Sequence, residues 1–428
     1  MKSLSLALIS TLLLLVSCSD TNKSQEPPMT LNQAAECFVK LSLSIGHHHE
    51  YYVDAYYGPE EWRSAEKVAL TTLETNAGNL INEIQSIEPE KGQEIRKELL
   101  LIQTLAAKAF IGQLNGVTLS FDEESQAFYD AVSPKFNQAE LNSILEKLDT
   151  MVPGEGELST RMINFNANFI IAKDKLDAVF TAAINESRIR TKKYIDLDEK
   201  ENFSLEYVTN KVWSGYNWYK GKSYSLIQMN TDFPIRIDRA IDLASHEGYP
   251  GHHVFNSLME KHLVDGKGWM EYSVYPLFSP LSLLAEGSAN YGIEVAFNHE
   301  ERVKFEKAVL FPLAGLNVDQ ADLYYEIQEV MQKLSYAGNM IAQQYLDGEI
   351  DKNTAIELQM KYSLTSREKS TQHIAFIEVN RAYVINYNLG QDIVKQYVEK
   401  LVGDGGEEKK WQVFMDLLSN PRTASMMQ

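Results

Sequence analysis

The segment His246-Glu247-Gly248-Tyr249-Pro250-Gly251-His252-His253 holds three of the chain's nine histidines within eight residues, with a glutamate directly after the first. Imidazole nitrogens and carboxylates are the donor set for Zn²⁺. In a zincin helix two histidines one turn apart hold the ion, and the Glu after the first serves as base toward the attacking water. The chemistry this pattern points to is hydrolysis at a polarised carbonyl. The ordinary spacing fails, because the fourth position after His246 is Pro250. On an unbroken helix His253 shares a face with His246, but seven residues at about 1.5 Å rise separate their Cα atoms by roughly 10.5 Å, close to the limit for sharing one ion. Pro250 removes a helical hydrogen bond, and Gly251 permits backbone angles that other residues resist. A local bulge absorbing this pair favours His252 as second ligand and leaves His253 to line the cleft; His253 as the ligand is the alternative.

A third protein ligand is required. Ala285-Glu286-Gly287-Ser288-Ala289-Asn290-Tyr291 offers Glu286, 34 residues past His252, a separation that fits a second helix packed on the first. The glycine after Glu286 allows close backbone approach. Glu294 reads as a surface residue, with a role behind the ligands as the alternative. His47-His48-His49-Glu50 invites a second metal site, but adjacent helical residues point in different directions, so a solvated or cleft-rim role is expected.

The elements that must position these groups follow from periodicity. Apolar residues recur at helical spacing over Leu31 to Ile45, Glu94 to Leu114, Leu141 to Met151 and a long run from Leu158 to Tyr194. Breakers at Gly58-Pro59, Asn115-Gly116, Ser133-Pro134 and Pro153-Gly154 separate them. Ser223 to Asn230 is the best strand candidate, ending at the turn-like Asn230-Thr231-Asp232-Phe233-Pro234. The helical pattern returns from Ile235 to Ser245 and runs into the histidine cluster. Ser279-Pro280 should open the helix carrying Glu286, since proline suits a first turn. Further helices are expected at Gln320 to Tyr345, Asn353 to Tyr362, His373 to Asn386 and Gln391 to Val402. The expected fold is mainly α, zincin-like, with a small β-sheet flanking the active-site helix. The chain divides into an amino-terminal helical lobe over 30–200 and a catalytic lobe over 201–428.

The two motif segments also resemble the bacterial domain-of-unknown-function 885 family, which carries His-Glu-x-x-Pro-Gly-His-His followed by Glu-Gly-x-Ala-x-Tyr. The resemblance extends to Gly46-His47-His48-His49-Glu50 and to Arg381 through Tyr387-Asn388-Leu389-Gly390-Gln391, and so to nearly the whole mature chain. The family looks like helical zincin-type metallopeptidases, many of them lipoproteins. The resemblance implies His246, one histidine of the pair and Glu286 as zinc ligands, with Glu247 as base. Ser288 departs from the family pattern, where a bulky aromatic is expected, which bears on pocket shape. Peptide hydrolysis also needs a donor for the developing oxyanion, and Tyr387, Arg381 and His253 are the candidates, the first two resting mainly on the resemblance. Arg381 would equally suit a substrate carboxylate.

The ends and the composition set the compartment. Met1-Lys2, an apolar stretch from Leu4 to Val16, and Leu15-Val16-Ser17-Cys18 form a basic start, a short apolar core and a lipobox. Residues 1–17 are thus expected to be a lipoprotein signal peptide and 18–29 a linker after lipidated Cys18, so that a lipid holds the protein to a bacterial membrane, facing the periplasm or cell exterior. With Cys18 lipidated only Cys37 remains, so no intrachain disulfide is available. A formal charge of −19 repels nucleic acid, which is not expected as a partner; bulk charge says little about substrate, and the peptide expected there follows from the metal motif and the resemblance. Two rival readings share the motif. One is a non-catalytic surface lipoprotein with a structural metal that binds peptide or a partner; the other is a metal-dependent amidase on cell-wall material.

Overall fold

The computed structural model of the chain describes residues 28–428, so the expected signal peptide, Cys18 and most of the linker lie outside the described residues. The first helix, Leu31–Gly46, begins where Thr30 accepts the Gln33 amide and the Gln33 side chain accepts the Thr30 amide, which satisfies two backbone donors reciprocally. It buries Leu31, Ala34, Ala35, Phe38 and Val39 on one face. The helix Glu94–Leu114 spans the expected residues. The molecule is mainly helical with small sheets, as the periodicity requires. Among the described residues no helix is long and apolar enough to cross a membrane.

Two long runs of helical spacing are broken. The run from Leu158 resolves into Leu158–Asn166 and Leu176–Lys192, because the chain between them turns aside to bridge the segment before the histidine helix: Ile170 pairs with Arg236, and Ile171 N donates to Ile235 O at 2.9 Å. The run from Gln320 similarly divides into Ala321–Gln332 and Ala337–Leu346. Periodicity sees which face is apolar; it does not see where a long-range backbone bond interrupts the ladder.

Strand β1 (Val53–Tyr56) precedes three strands of a second sheet: β2 (Asn202–Val208), β3 (Gly215–Tyr219) and β4 (Tyr224–Asn230). β4 is the centre, parallel to β2 and antiparallel to β3, so β3 is an edge. A fifth strand, β5 (Val274–Pro276), pairs antiparallel with β1, with Val53 opposite Pro276 and Tyr56 opposite Val274. That ladder joins residues on either side of position 200, and one continuous apolar core runs from Leu31 to Met427.

The helix Pro280–Ala296 forms the middle of the molecule. Pro280 opens it, and Leu281, Leu283, Leu284, Ala285 and Ala289 are all buried. It crosses the helix Ile385–Val402 at Gly287, where an added Cβ would sit 2.3 Å from the Gly390 carbonyl. Only a residue without a side chain lets two backbones meet so closely.

Candidate metal centre

The helix Asp238–Leu243 runs on into a π-helical turn, Ala244–Gly248, and the chain re-enters a helix at His252. Pro250 has no amide to donate, and the backbone at this point is closed by Tyr249 N to Ala244 O (3.2 Å) and Gly251 N to Ser245 O (2.9 Å). A Cβ on Gly251 would lie 1.8 Å from the His246 carbonyl oxygen, so the chain folds back on itself there only because that residue is glycine. The fold-back sets His252 against His246, with their Nε2 atoms 3.1 Å apart.

Glu286, from the crossing helix, completes the group. Its Oε2 is 3.2 Å from His246 Nε2 and its Oε1 3.7 Å from His252 Nε2. Together His246, His252 and Glu286 offer three ligand atoms within 4.8 Å of one another. A tetrahedral zinc with bonds of about 2.0–2.2 Å keeps its donors roughly 3.3 Å apart, which these separations match. Glu286 Oε2 is buried and makes no hydrogen bond within the described residues. A buried carboxylate oxygen without a donor is costly, and a cation relieves it. The residues therefore fit a divalent metal. The same crowding acts on protons: burial pushes His252 down, yet the Glu286 carboxylate outweighs it and the imidazole is pushed up to about 9. Burial likewise pushes Glu286 up, and the two histidines reverse it to well below the usual carboxylate range.

Behind the ligands stand residues that aim them. Asn290, one turn beyond Glu286, takes His246 Nδ1 on its Oδ1 at 2.8 Å and donates to the Tyr387 carbonyl at 2.8 Å. An amide oxygen can only accept, so Nδ1 carries the proton and Nε2 offers its lone pair to the centre. Tyr383 donates to Glu286 Oε1 at 2.7 Å. Glu247 is 4% exposed beside them, and burial pushes its carboxyl up, opposed by His246 and His252. Asn217 of β3 donates to the Glu247 carbonyl at 2.7 Å and ties the sheet edge to this turn. Tyr387 stacks on His246 at a ring distance of 6.4 Å, and burial followed by the Glu286 and Glu247 carboxylates holds its hydroxyl proton well above the usual range.

His253 requires correction. It is fully buried and turned away from the centre, its Nδ1 on Ser225 Oγ at 2.8 Å and its Nε2 on Glu201 Oε2 at 3.2 Å. Glu201 also receives Tyr249 at 2.5 Å and Arg188. Burial pushes this carboxyl up, but the bonds from His253, Tyr249 and Arg188 win and hold it down at about 2. His253 thus anchors the histidine helix to the sheet and does not line the cleft. Arg381 also differs from its expected place. Its Nε donates to Glu124 Oε2 at 2.7 Å and the next amide, Ala382 N, to Glu124 Oε1 at 3.1 Å, so its guanidinium serves the turn that carries Tyr383. Glu294 pairs with Lys395 and Gln391. His49 packs against Phe110 and Phe278, and His48 Nε2 meets the Val68 carbonyl at 2.7 Å.

Four contributors escaped the reading of the sequence. Asn290 lies within the Glu286 segment at a one-turn interval, and Tyr383 stands one turn before Tyr387; helical spacing alone could have found both. Asp54 of β1 and Tyr216 of β3, hydrogen-bonded to each other, had no local signal. Burial pushes Asp54 up to about 6, with Tyr216 and His252 opposing and the Glu286 and Glu247 carboxylates adding to the rise.

No family model matches the chain, and no curated protein matches it. Among solved structures, a "putative lipoprotein" from Colwellia psychrerythraea is similar at a TM-score of 0.52 and 13% identity, covering 94% of this chain and 76% of that one. A "putative lipoprotein of unknown function" from Shewanella oneidensis follows at 0.43 and 12%, covering 81% and 72%. An M32 carboxypeptidase from Deinococcus radiodurans R1 gives 0.36 and 10%, covering 91% and 89%. The chain has the overall fold of the Colwellia psychrerythraea protein.

Proposed function

We propose that the chain is a zinc-dependent peptidase of the domain-of-unknown-function 885 type, working outside the cytoplasm and held to a membrane by lipid on Cys18. The observation that carries the reading is the convergence of His246, His252 and the orphaned Glu286 oxygen beside a buried Glu247. His246, His252 and Glu286 would hold the metal, which when bound would polarise the scissile carbonyl and lower the pKa of water.

The protein's own groups account for the proton. Glu247 takes one proton from the water whose oxygen forms the new bond to the carbonyl carbon, then delivers it to the amine nitrogen as the C–N bond breaks. Its burial raises its proton affinity and suits it to both halves of that transfer. Tyr387, stacked on His246, donates a hydrogen bond to the carbonyl oxygen as negative charge grows there. Tyr383 holds Glu286 and Asn290 holds His246, so the ligands are aimed before substrate arrives. Arg381 and His253 support these parts without touching the reacting atoms.

A surface lipoprotein with a structural metal would not need a buried carboxyl at position 247. A peptide-library digest read by mass spectrometry, with and without chelator, tests the reading. Metal-dependent cleavage that falls at least about 10³-fold in Glu247→Gln, with metal content kept, is expected. Full cleavage by Glu247→Gln would overturn it.

A further inference from the structure

Strand β3 passes directly against Glu247. A Cβ built on Gly215 would lie 2.7 Å from Glu247 Oε1 and 3.1 Å from Leu243 Cδ2, so the strand backbone is seated between two side chains four positions apart, where the helix runs into its π-helical turn. Asn217, two residues on and therefore on the same face of the strand, donates to the Glu247 carbonyl at 2.7 Å. That bond holds the backbone of residue 247. The carboxylate has no hydrogen bond or ion pair among the described residues, so packing sets where it points.

The strand has little room to give. Asn230, at the end of β4, pins the approach to β3 by three bonds: its amide donates to the Ser214 carbonyl at 2.8 Å, and its side-chain nitrogen to the Lys211 and Trp213 carbonyls, each at 2.9 Å. Gly215 itself lies opposite Met229 in the antiparallel ladder with β4. Its φ is not positive, so the backbone there suits any residue. Inside a strand glycine is the poorer choice, because it loses more freedom on folding than alanine and packs nothing. The contact at Gly215 also differs in kind from those at Gly251 and Gly287. There an added methyl meets a backbone carbonyl and the fold must move; here it meets the free end of a side chain, and that end is the carboxylate of the base.

We propose that Gly215 is a positioning residue for the base: the missing side chain is what lets the Glu247 carboxylate stand where it meets the attacking water. The inference rests on the peptidase reading above and adds to it a residue that acts through Glu247. Ordinary contact begins near 3.4 Å, so a methyl at position 215 drives Oε1 back by about 0.7 Å. Misplacing a reacting group by about 1 Å costs on the order of 10²-fold in rate. His246, His252 and Glu286 are not among the atoms nearest to that methyl, so the metal site is left as it was.

Gly215→Ala is the test, with kcat, KM, zinc content and melting midpoint read together. On a cleaved peptide kcat should fall about 30- to 100-fold. KM should stay within about threefold of wild type, zinc at its wild-type level, and the midpoint at or slightly above wild type. In a Glu247→Gln background the same substitution should cost less than about threefold, because no base remains to displace. A crystal structure of Gly215→Ala gives a readout independent of turnover: Glu247 Oε1 moves and the β3 backbone does not. Undiminished kcat, a loss of zinc or a lowered midpoint alongside the lost activity, an equal loss in the Glu247→Gln background, or a displaced strand with the carboxylate in place would each overturn the proposal. Wild-type protein that cleaves no peptide would instead remove the peptidase reading, and the crystal structure would still decide whether Gly215 places this carboxylate.

Discussion

Replacing Asn290 with alanine tests whether the centre is aimed from behind as well as ligated from the front. The side chain makes two bonds of 2.8 Å, one accepting His246 Nδ1–H and one donating to the Tyr387 carbonyl. Without the acceptor, the His246 ring is free to rotate and to place its proton on Nε2, where it cannot ligate. Loss of a hydrogen bond behind a metal ligand costs about 10- to 100-fold in metal affinity, or roughly 1.4–2.7 kcal/mol. The variant leaves His246, His252 and Glu286 in place, so zinc should bind more weakly but still bind. Competition against a chromophoric chelator measures this directly, and kcat/KM on a cleaved peptide should fall in parallel at limiting zinc. Asn290→Asp keeps the acceptor and should hold affinity near the parent. If Asn290→Ala binds zinc as tightly as wild type while His246→Ala loses it, orientation through Asn290 plays no part and the reasoning from tautomer to ligand is refuted.

Two further outcomes follow from the packing and the charges. Gly287→Ala should lower the unfolding free energy by about 2–4 kcal/mol, because its methyl would sit 2.3 Å from the Gly390 backbone carbonyl and neither helix is free to yield. A denaturation midpoint unchanged from wild type would show that the crossing tolerates a side chain. Glu201 carries a pH dependence of known sign: its folded carboxyl is held down at about 2, below the ordinary value near 4.5, so its contribution is fully present above that value and is lost as pH falls toward 2. The stability gap between wild type and Glu201→Gln should therefore be widest at neutral pH and close through that window in denaturant melts. A gap that stays constant from pH 6 to about pH 2.5 would contradict the pairing of Glu201 with His253, Tyr249 and Arg188.

Much of this arrangement was legible because it is local. The His246-Glu247 pair, Glu286 on a helix opened by Pro280, and the helices Leu31–Gly46 and Glu94–Leu114 all declare themselves through spacing and caps. His252 and His253 are not told apart by spacing, because adjacent residues differ by about 100° around a helix and the π-turn resets the register. The partners that hold His253 out of the cleft, Ser225 and Glu201, lie 28 and 52 residues away in sequence, and nothing near it announces them. Arg381 reads as a free cation until Glu124, 257 residues earlier, is brought against it. Asp54 and Tyr216 were invisible for the same reason: β1 finds β5 across more than half the chain, and Asp54 meets Tyr216 from a strand of the other sheet. The break in the run from Leu158 was hidden too, since the Ile170–Arg236 bridge is set by the whole fold.

Metal content tests the central claim most directly. Wild-type protein, purified without chelator and analysed by mass spectrometry of the elements, should carry about one equivalent of a divalent cation. His252→Ala should lose it, and His253→Ala, if folded, should keep it, since His252 faces Glu286 and His253 faces Glu201. Wild-type protein that takes up no cation even when dialysed against zinc, or a His252→Ala variant that retains a full equivalent, would contradict the account.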